Sequence, residues 1–149
     1  MTQSPYTCLW FDGNAKEAAT FYCSVFPNSQ ITSDNGMTIG FELNGTKMMG
    51  LNGGPQFTFN EAISFVISCE SQEEIDYYWE KLTNEGEESM CGWLKDKYGV
   101  SWQVVPTQLG SLMSDPEKRP RVIEAFLKMK KFENICLTFI NDLAGRFTN

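Results

Sequence analysis

The sequence predicts an α+β protein of two paired βαβββ modules with a C-terminal helical extension. Three observations carry that prediction. Two helix starts, Asn14 with Glu17 and Ser71 with Glu74, share a capping-box pattern and lie 57 residues apart. At the same offset the buried stripes agree, with Tyr22 meeting Trp79 and Val25 meeting Leu82. Each helix is then followed by a hairpin signal, Asn44-Gly45 in the first half and Tyr98-Gly99 in the second, now 54 residues apart. Three residues are therefore lost between helix and hairpin in the second copy.

The elements follow in order. Thr7 to Phe11 reads as a short strand, and Asp12-Gly13 turns the chain into a helix capped by Asn14. Ala15, Ala18, Ala19, Tyr22, Val25 and Phe26 recur at three- and four-residue spacing, a single stripe that must lie on a sheet. Pro27-Asn28-Ser29 ends the helix, and a short strand near Gln30 to Ser33 precedes two longer ones, Thr38 to Leu43 and Thr46 to Leu51. Asn44-Gly45 between them is the pair favoured in a two-residue type I′ turn, because both positions need positive φ. The second module repeats this with a strand over Ala62 to Cys69, the helix capped by Ser71, and strand segments Cys91 to Lys95 and Val100 to Val105. The first module spans about residues 1–55, the second about 56–106 and the tail 107–149, all within one domain.

In the tail Val122, Ile123, Phe126, Leu127 and Met129 form an amphipathic stripe behind Pro116 and Pro120, and Ile135 to Ala144 reads as a further short helix ending at Gly145. Two uses stay open. The stripe packs on the protein's own sheet or a sister subunit, or the basic residues Lys118, Arg119, Arg121, Lys128, Lys130 and Lys131 meet an acidic partner or a membrane surface.

Composition excludes whole classes of function. A net charge of −7 disfavours a general grip on phosphate backbones, so no nucleic-acid partner is expected. No run approaches the roughly 20 apolar residues that span a bilayer, and the N-terminus lacks a basic segment followed by an apolar stretch. A cytoplasmic protein without a membrane partner is the expectation. The chain contains no histidine, which removes imidazole bases, Ser-His and Cys-His nucleophile pairs and His-containing metal sites. Its five cysteines are odd in number and form no C-x-x-C pair, which argues against a disulfide framework and a zinc knuckle.

The opening segment Leu9-Trp-Phe-Asp-Gly-Asn-Ala-Lys-Glu-Ala-Ala-Thr-Phe-Tyr22, set in a duplicated βαβββ unit, resembles the vicinal oxygen chelate superfamily of glyoxalases, bleomycin-resistance proteins and extradiol dioxygenases. Five further segments resemble its PhnB-like group, commonly labelled 3-demethylubiquinone-9 3-methyltransferase. They are Phe26-Pro-Asn-Ser29, Leu51-Asn-Gly-Gly-Pro-Gln-Phe57, Phe59-Asn-Glu-Ala-Ile-Ser-Phe65, Asp76-Tyr-Tyr-Trp-Glu-Lys-Leu82 and Cys91-Gly-Trp-Leu-Lys-Asp-Lys-Tyr-Gly-Val-Ser-Trp-Gln-Val-Val-Pro106. The resemblance runs from about Tyr6 to Lys130 and implies a homodimer. In the superfamily's enzymes it also implies a divalent metal, held by His, Glu or Gln side chains from first and last strands. Carried over by offset, those ligand positions fall on Pro5, Met49, Ala62 and Gln103. Only Gln103 has a donor suited to a hard metal, and a slip of one residue adds only Glu61. The expectation is therefore a protein with no metal and no cofactor.

Methyl transfer from S-adenosylmethionine on the usual doubly wound fold needs a Gly-rich turn leading into a helix. Gly50-Leu-Asn-Gly-Gly-Pro55 is the only candidate, and Gln56 to Asn60 behind it does not read as a helix start. What remains is an apolar cup for a small, apolar or aromatic molecule, with Trp10, Phe65, Trp93 and Trp102 on strands and Asn52, Gln56, Asn60, Glu61 and Gln103 at or near strand ends. Glu61 is the candidate catalytic group, since an apolar cup would raise a carboxylate's proton affinity and make it a general base; its alternative is an exposed loop carboxylate. Two function classes stand: a metal-independent binder of small molecules, and an enzyme, either the quinone methyltransferase of the family label or a metal-free reaction run from Glu61. A metal-dependent glyoxalase or dioxygenase is a further alternative.

Overall fold

The computed structural model describes residues 4–133. The chain divides between Phe59 and Asn60 into two units. In the first, β1 (Thr7–Phe11), α1 (Ala15–Val25), β2 (Gln30–Asp34), β3 (Thr38–Leu43) and β4 (Thr46–Asn52) follow one another, and the sheet order is β1-β4-β3-β2. In the second, β5 (Phe65–Cys69), α2 (Gln72–Thr83), β6 (Glu87–Glu88), β7 (Trp93–Lys95) and β8 (Ser101–Pro106) repeat that order as β5-β8-β7-β6. In both sheets the first strand runs parallel to the last and the remaining pairs are antiparallel. Two βαβββ modules are thus present, as the repeat predicts, and the helix starts Ala15 and Gln72 keep the 57-residue offset.

Each sheet is clothed on one face by its own helix, and a central strand such as β3 alternates buried and half-open positions. In the first module Leu9, Phe11, Ile39, Phe41 and Met48 are buried together with Ala15, Ala18, Ala19, Tyr22 and Val25 of α1. In the second, Leu94, Trp102 and Val104 are buried with Ile75, Trp79 and Leu82 of α2. Phe26, expected on the α1 stripe, becomes the C-cap in extended backbone and is half-buried.

The two predicted helix caps differ. Ser71 caps α2 as expected: its Oγ accepts from Glu74 N at 3.2 Å, while Glu74 Oε2 accepts from Glu70 N at 2.7 Å. Asn14 makes no side-chain cap bond. The first free amide of α1, Ala15 N, donates instead to Asn52 Oδ1 at 2.9 Å, so a side chain from the end of β4 performs the capping. A cap supplied across 37 residues leaves no local sequence pattern.

The hairpins differ as well. Asn44 and Gly45 have φ of 46° and 81°, the type I′ turn expected. In the second module Asp96 N donates to Val100 O, and Lys97, Tyr98 and Gly99 form a three-residue loop with only Gly99, φ 85°, on the left-handed side. That loop is the type I turn plus left-handed residue that gives a bulge. The second copy therefore loses its residues before the hairpin and regains one in the turn. The loss is visible in β6, which keeps two residues where β2 has five.

Two strands begin at least two residues later than the sequence suggests, and β8 begins one later, at Ser101. Cys91 and Gly92 both take positive φ, 59° and 79°, which bars them from the extended β7. Asn60 to Ser64 form a turn, with Asn60 Oδ1 accepting from Ala62 N at 2.9 Å, so β5 starts at Phe65 and not at Ala62.

The tail forms α3 (Leu109–Ser114) and α4 (Arg119–Phe126). Val122 and Phe126 are buried, whereas Ile123, within α4, and Leu127, just past its end, are exposed, so the buried stripe is narrower than the pattern predicts. The tail packs on its own module: Cys91 N and Gly92 N donate to Met129 O and Lys130 O at 2.9 and 2.7 Å, and Phe132 is buried against Phe126. Most of the basic residues are engaged locally, Lys118 with Asp115, Lys128 with Glu124, Lys130 with Glu88 and Lys131 with Asp76. The helix expected over 135–144 lies outside the described residues.

Candidate functional site

Strand parity decides which predicted site residues share a surface, because successive side chains point to opposite faces. Trp102 is paired with Phe65 and Leu94 on the helix-covered face of the second sheet. Gln103 is paired with Val66 and Trp93 on the other face. Trp102 is buried, its indole 5.1 Å from the Phe65 ring, and its Nε1 donates to Asp96 Oδ2 at 2.8 Å. Trp102 is therefore a core residue, and Phe65 is half-buried against it. Gln103, half-buried on the open face, donates from Nε2 to Ser64 Oγ at 2.9 Å.

Asp96 organises the longest of the segments that resemble the PhnB-like group, Cys91 to Pro106. It is buried, Oδ1 accepts from Tyr98 N at 2.9 Å and Val100 N at 3.1 Å, and Oδ2 takes the Trp102 indole. The Asp-Lys-Tyr-Gly-Val-Ser-Trp run is thus a hairpin held by one carboxylate.

In the first module Trp10 is half-buried on the open face of β1, donates from Nε1 to Gly54 O at 2.8 Å, and meets the Phe57 ring edge-on at 4.9 Å. Asn52 is occupied as the α1 cap, and its Nδ2 also donates to Gly36 O at 2.9 Å. Gln56 and Asn60 are exposed in the connecting segment.

A cleft of about 400 Å³ opens in the second module. Trp93, Lys95 and Ser101 contribute from the open face of the sheet, Lys95 and Ser101 being cross-strand partners, and Glu61, Glu87 and Met90 complete its wall. Glu61 stands there as an exposed carboxylate, 61% of its side chain accessible, with Lys95 Nζ 2.5 Å from its Oε1. The Lys95 hydrogen bond, a backbone hydrogen bond and the ammonium charge hold its carboxyl below the usual glutamate range. The expected rise in proton affinity is reversed, because a cationic partner outweighs the little desolvation that an exposed loop supplies. Lys95 is pushed up by the same bond. Ser101 is 1% exposed, and its Oγ has no hydrogen-bond partner among the described residues. Buried hydroxyls are normally paired, so the orphan behind the wall of this cleft marks an unmet hydrogen-bonding group there.

The metal positions carried over by resemblance do not form a donor set. In the ladders Met49 sits between Cys8 and Gly40, and Gln103 between Val66 and Trp93, so a single neutral amide is the one hard donor there. Among the described residues no three His, Cys, Asp or Glu side chains converge as a metal site. No step through a metal is derived for this chain. Lys95, Glu87, Ser101 and Asp96 are the residues the sequence reading missed; alternation from Trp93 along the strand already places Lys95 on the open face.

The comparisons with known proteins bear on the fold and the family. Residues 3–105 match the family model of 3-demethylubiquinone-9 3-methyltransferase. A PhnB protein of Bacillus cereus carrying the same methyltransferase description is 37% identical, with 70% of this chain and 100% of that chain covered and a TM-score of 0.65. A Pseudomonas aeruginosa protein shares the fold at 17% identity, covering 70% and 98% of the two chains with a TM-score of 0.58. A glyoxalase/bleomycin resistance protein of Albidiferax ferrireducens does so at 10% identity, with 66% and 93% covered and a TM-score of 0.51. No curated protein matches the chain in sequence. With the family model matched over most of the chain and the Bacillus cereus PhnB protein covered in full, this chain belongs to the 3-demethylubiquinone-9 3-methyltransferase family.

Proposed function

We propose that this protein binds a small organic molecule in the cleft of its second module, with Trp93 supplying apolar surface and Ser101, Lys95 and Glu61 orienting polar groups. The observation that carries the reading is the orphan Ser101 hydroxyl in the wall of a cleft that also presents an accessible indole. Small-molecule sites combine apolar lining with a few convergent polar groups, and this cleft has both. A homodimer belongs to the same proposal and is supported by the family resemblance. So does a cytoplasmic location, supported by an odd number of cysteines with no C-x-x-C pair.

The test is a thermal-shift screen of aromatic and quinone-like fragments, with hits repeated on Trp93→Phe and Ser101→Ala. A true ligand at a hundredfold over its Kd stabilises the folded state by about 2.7 kcal/mol, a shift of several degrees. Hits that lose their shift in both variants support the cleft. Hits whose shifts are unchanged in both variants overturn it. Light scattering of the purified chain tests the dimer.

The second reading, methyl transfer to a demethylated quinone, is favoured by the description of the matched family. In this chain Gly53-Gly54-Pro55 leads into a turn and irregular backbone up to β5, not into a helix whose N-terminus would face the cofactor. Incubation with S-adenosylmethionine and a catechol-like quinol separates the two readings, since a methylated product requires an enzyme.

A further inference from the structure

The cleft of the second module has a charge that selects among ligands. Of its carboxylates, Glu88 is engaged elsewhere, accepting from Trp79 Nε1 at 3.0 Å and pairing with Lys130 at 3.5 Å. Lys95 is the cleft's cation, and Glu61 already neutralises it at 2.5 Å. Glu87 lies directly across the ladder from Lys95, so a second carboxylate charge acts on the same ammonium, which keeps its close ion pair with Glu61. The wall therefore carries one negative charge more than its lysine can balance.

From this surplus, the unpaired Ser101 hydroxyl and the Trp93 indole, we infer that the cleft takes a small organic cation, a primary ammonium on an aromatic or apolar body. The inference rests on the cleft being the ligand site. An ammonium has three N–H donors, and the carboxylates of Glu61 and Glu87 and the Ser101 oxygen are acceptors. Trp93 offers the strongest of the aromatic faces for a cation and an apolar surface for the rest of the molecule. An anion fares worse on each count: it meets the surplus negative charge, and it reaches Lys95 only by displacing Glu61. The chain's net charge of −7 adds a long-range attraction for cations in the same direction.

The experiment uses three probes of nearly equal size, 2-phenylethylammonium, 2-phenylethanol and phenylacetate, titrated into the full chain near neutral pH and low salt. The readout is the tryptophan indole N–H signals in two-dimensional NMR, with the Trp93 signal assigned from Trp93→Phe. The expected result is a saturable shift of the Trp93 signal by the ammonium probe. Its affinity is about tenfold above the alcohol's, as one desolvated charge contact and a cation–π contact supply, and higher still above phenylacetate's. Glu87→Gln weakens the ammonium probe several-fold and leaves the alcohol unchanged, and salt at about 0.5 M does the same. Phenylacetate or the alcohol binding at Trp93 as tightly as the ammonium overturns the cation assignment while leaving the cleft as the site. Ammonium binding that shifts another indole and leaves Trp93 unmoved overturns the cleft itself. No shift from any probe overturns the cation assignment alone, since the fragment screen judges the cleft separately.

Discussion

Trp102 Nε1 donates to Asp96 Oδ2 across 2.8 Å, with both residues no more than 3% exposed. The pair ties the start of the β7–β8 hairpin loop to the core of the second module. Because the other Asp96 oxygen takes the Tyr98 and Val100 amides, one carboxylate satisfies three donors. Bonds to an ionised acceptor are the stronger kind, and losing that acceptor strands buried donors.

Asp96→Ala is therefore expected to destabilise the protein by about 3 kcal/mol, and Trp102→Phe by about 1–2 kcal/mol, since the latter leaves two of the three bonds in place. Urea denaturation with an unchanged slope is the check. Equal losses for the two variants would show that the indole bond, and not the loop amides, dominates.

The repeat was legible because duplication leaves a periodic trace: the capping pattern, the stripe from Tyr22 to Trp79 and the hairpin signals sit at nearly constant offset. Surface assignment was less so. A cup holding both Trp102 and Gln103 conflicts with strand geometry, since adjacent strand residues face opposite ways and only Gln103 reaches the open face. The Asn52 cap and the Glu61–Lys95 pair join residues 37 and 34 positions apart, and no local pattern encodes such contacts. The positive φ of Cys91 likewise occurs where its amide and that of Gly92 donate to the tail carbonyls of Met129 and Lys130, a long-range contact that the residue type of Cys91 does not announce.

Asn52 supplies the second stability prediction. Its Oδ1 caps α1 at Ala15 N and its Nδ2 holds Gly36 O, whereas the apparent cap Asn14 makes no side-chain bond. Asn52→Ala should lower stability by about 1–2 kcal/mol, the range for a lost cap, and Asn14→Ala by no more than about 0.5 kcal/mol. Thermal melts of the two variants decide it; the reverse order would return the capping role to Asn14.

The cysteines should separate by reactivity. Burial first, and the neighbouring Glu74 charge second, push the Cys69 thiol up to about 11, and its side chain is enclosed. Cys8 is exposed on β1, with its thiol raised more mildly by partial desolvation. Since the thiolate is the nucleophile, alkylation of native protein near neutral pH should label Cys8 well before Cys69. Peptide mass spectrometry reads the order, and Cys69 should label freely only after unfolding. Early labelling of Cys69 would mean that the first turn of α2 opens in the native state.

The Glu61–Lys95 pair should matter little to stability and more to occupancy of the cleft. Glu61 is held below its ordinary value of 4.5, chiefly by the Lys95 hydrogen bond, so the pair's contribution is complete above 4.5 and is lost as pH falls through the lower folded value. Lys95 is held above 10.5, so the contribution is likewise present below 10.5 and lost as pH rises through the higher folded value. Between those limits the melting temperatures of wild type and Glu61→Gln should run parallel. Their separation should not exceed about two degrees, because exposed ion pairs contribute little, and it should close in acid. A large separation at neutral pH would make the pair a structural clamp. A small one, accompanied by altered fragment binding in Glu61→Gln, would place its role in recognition, where an exposed carboxylate beside a half-buried ammonium can exchange partners with a ligand at little loss of folding free energy.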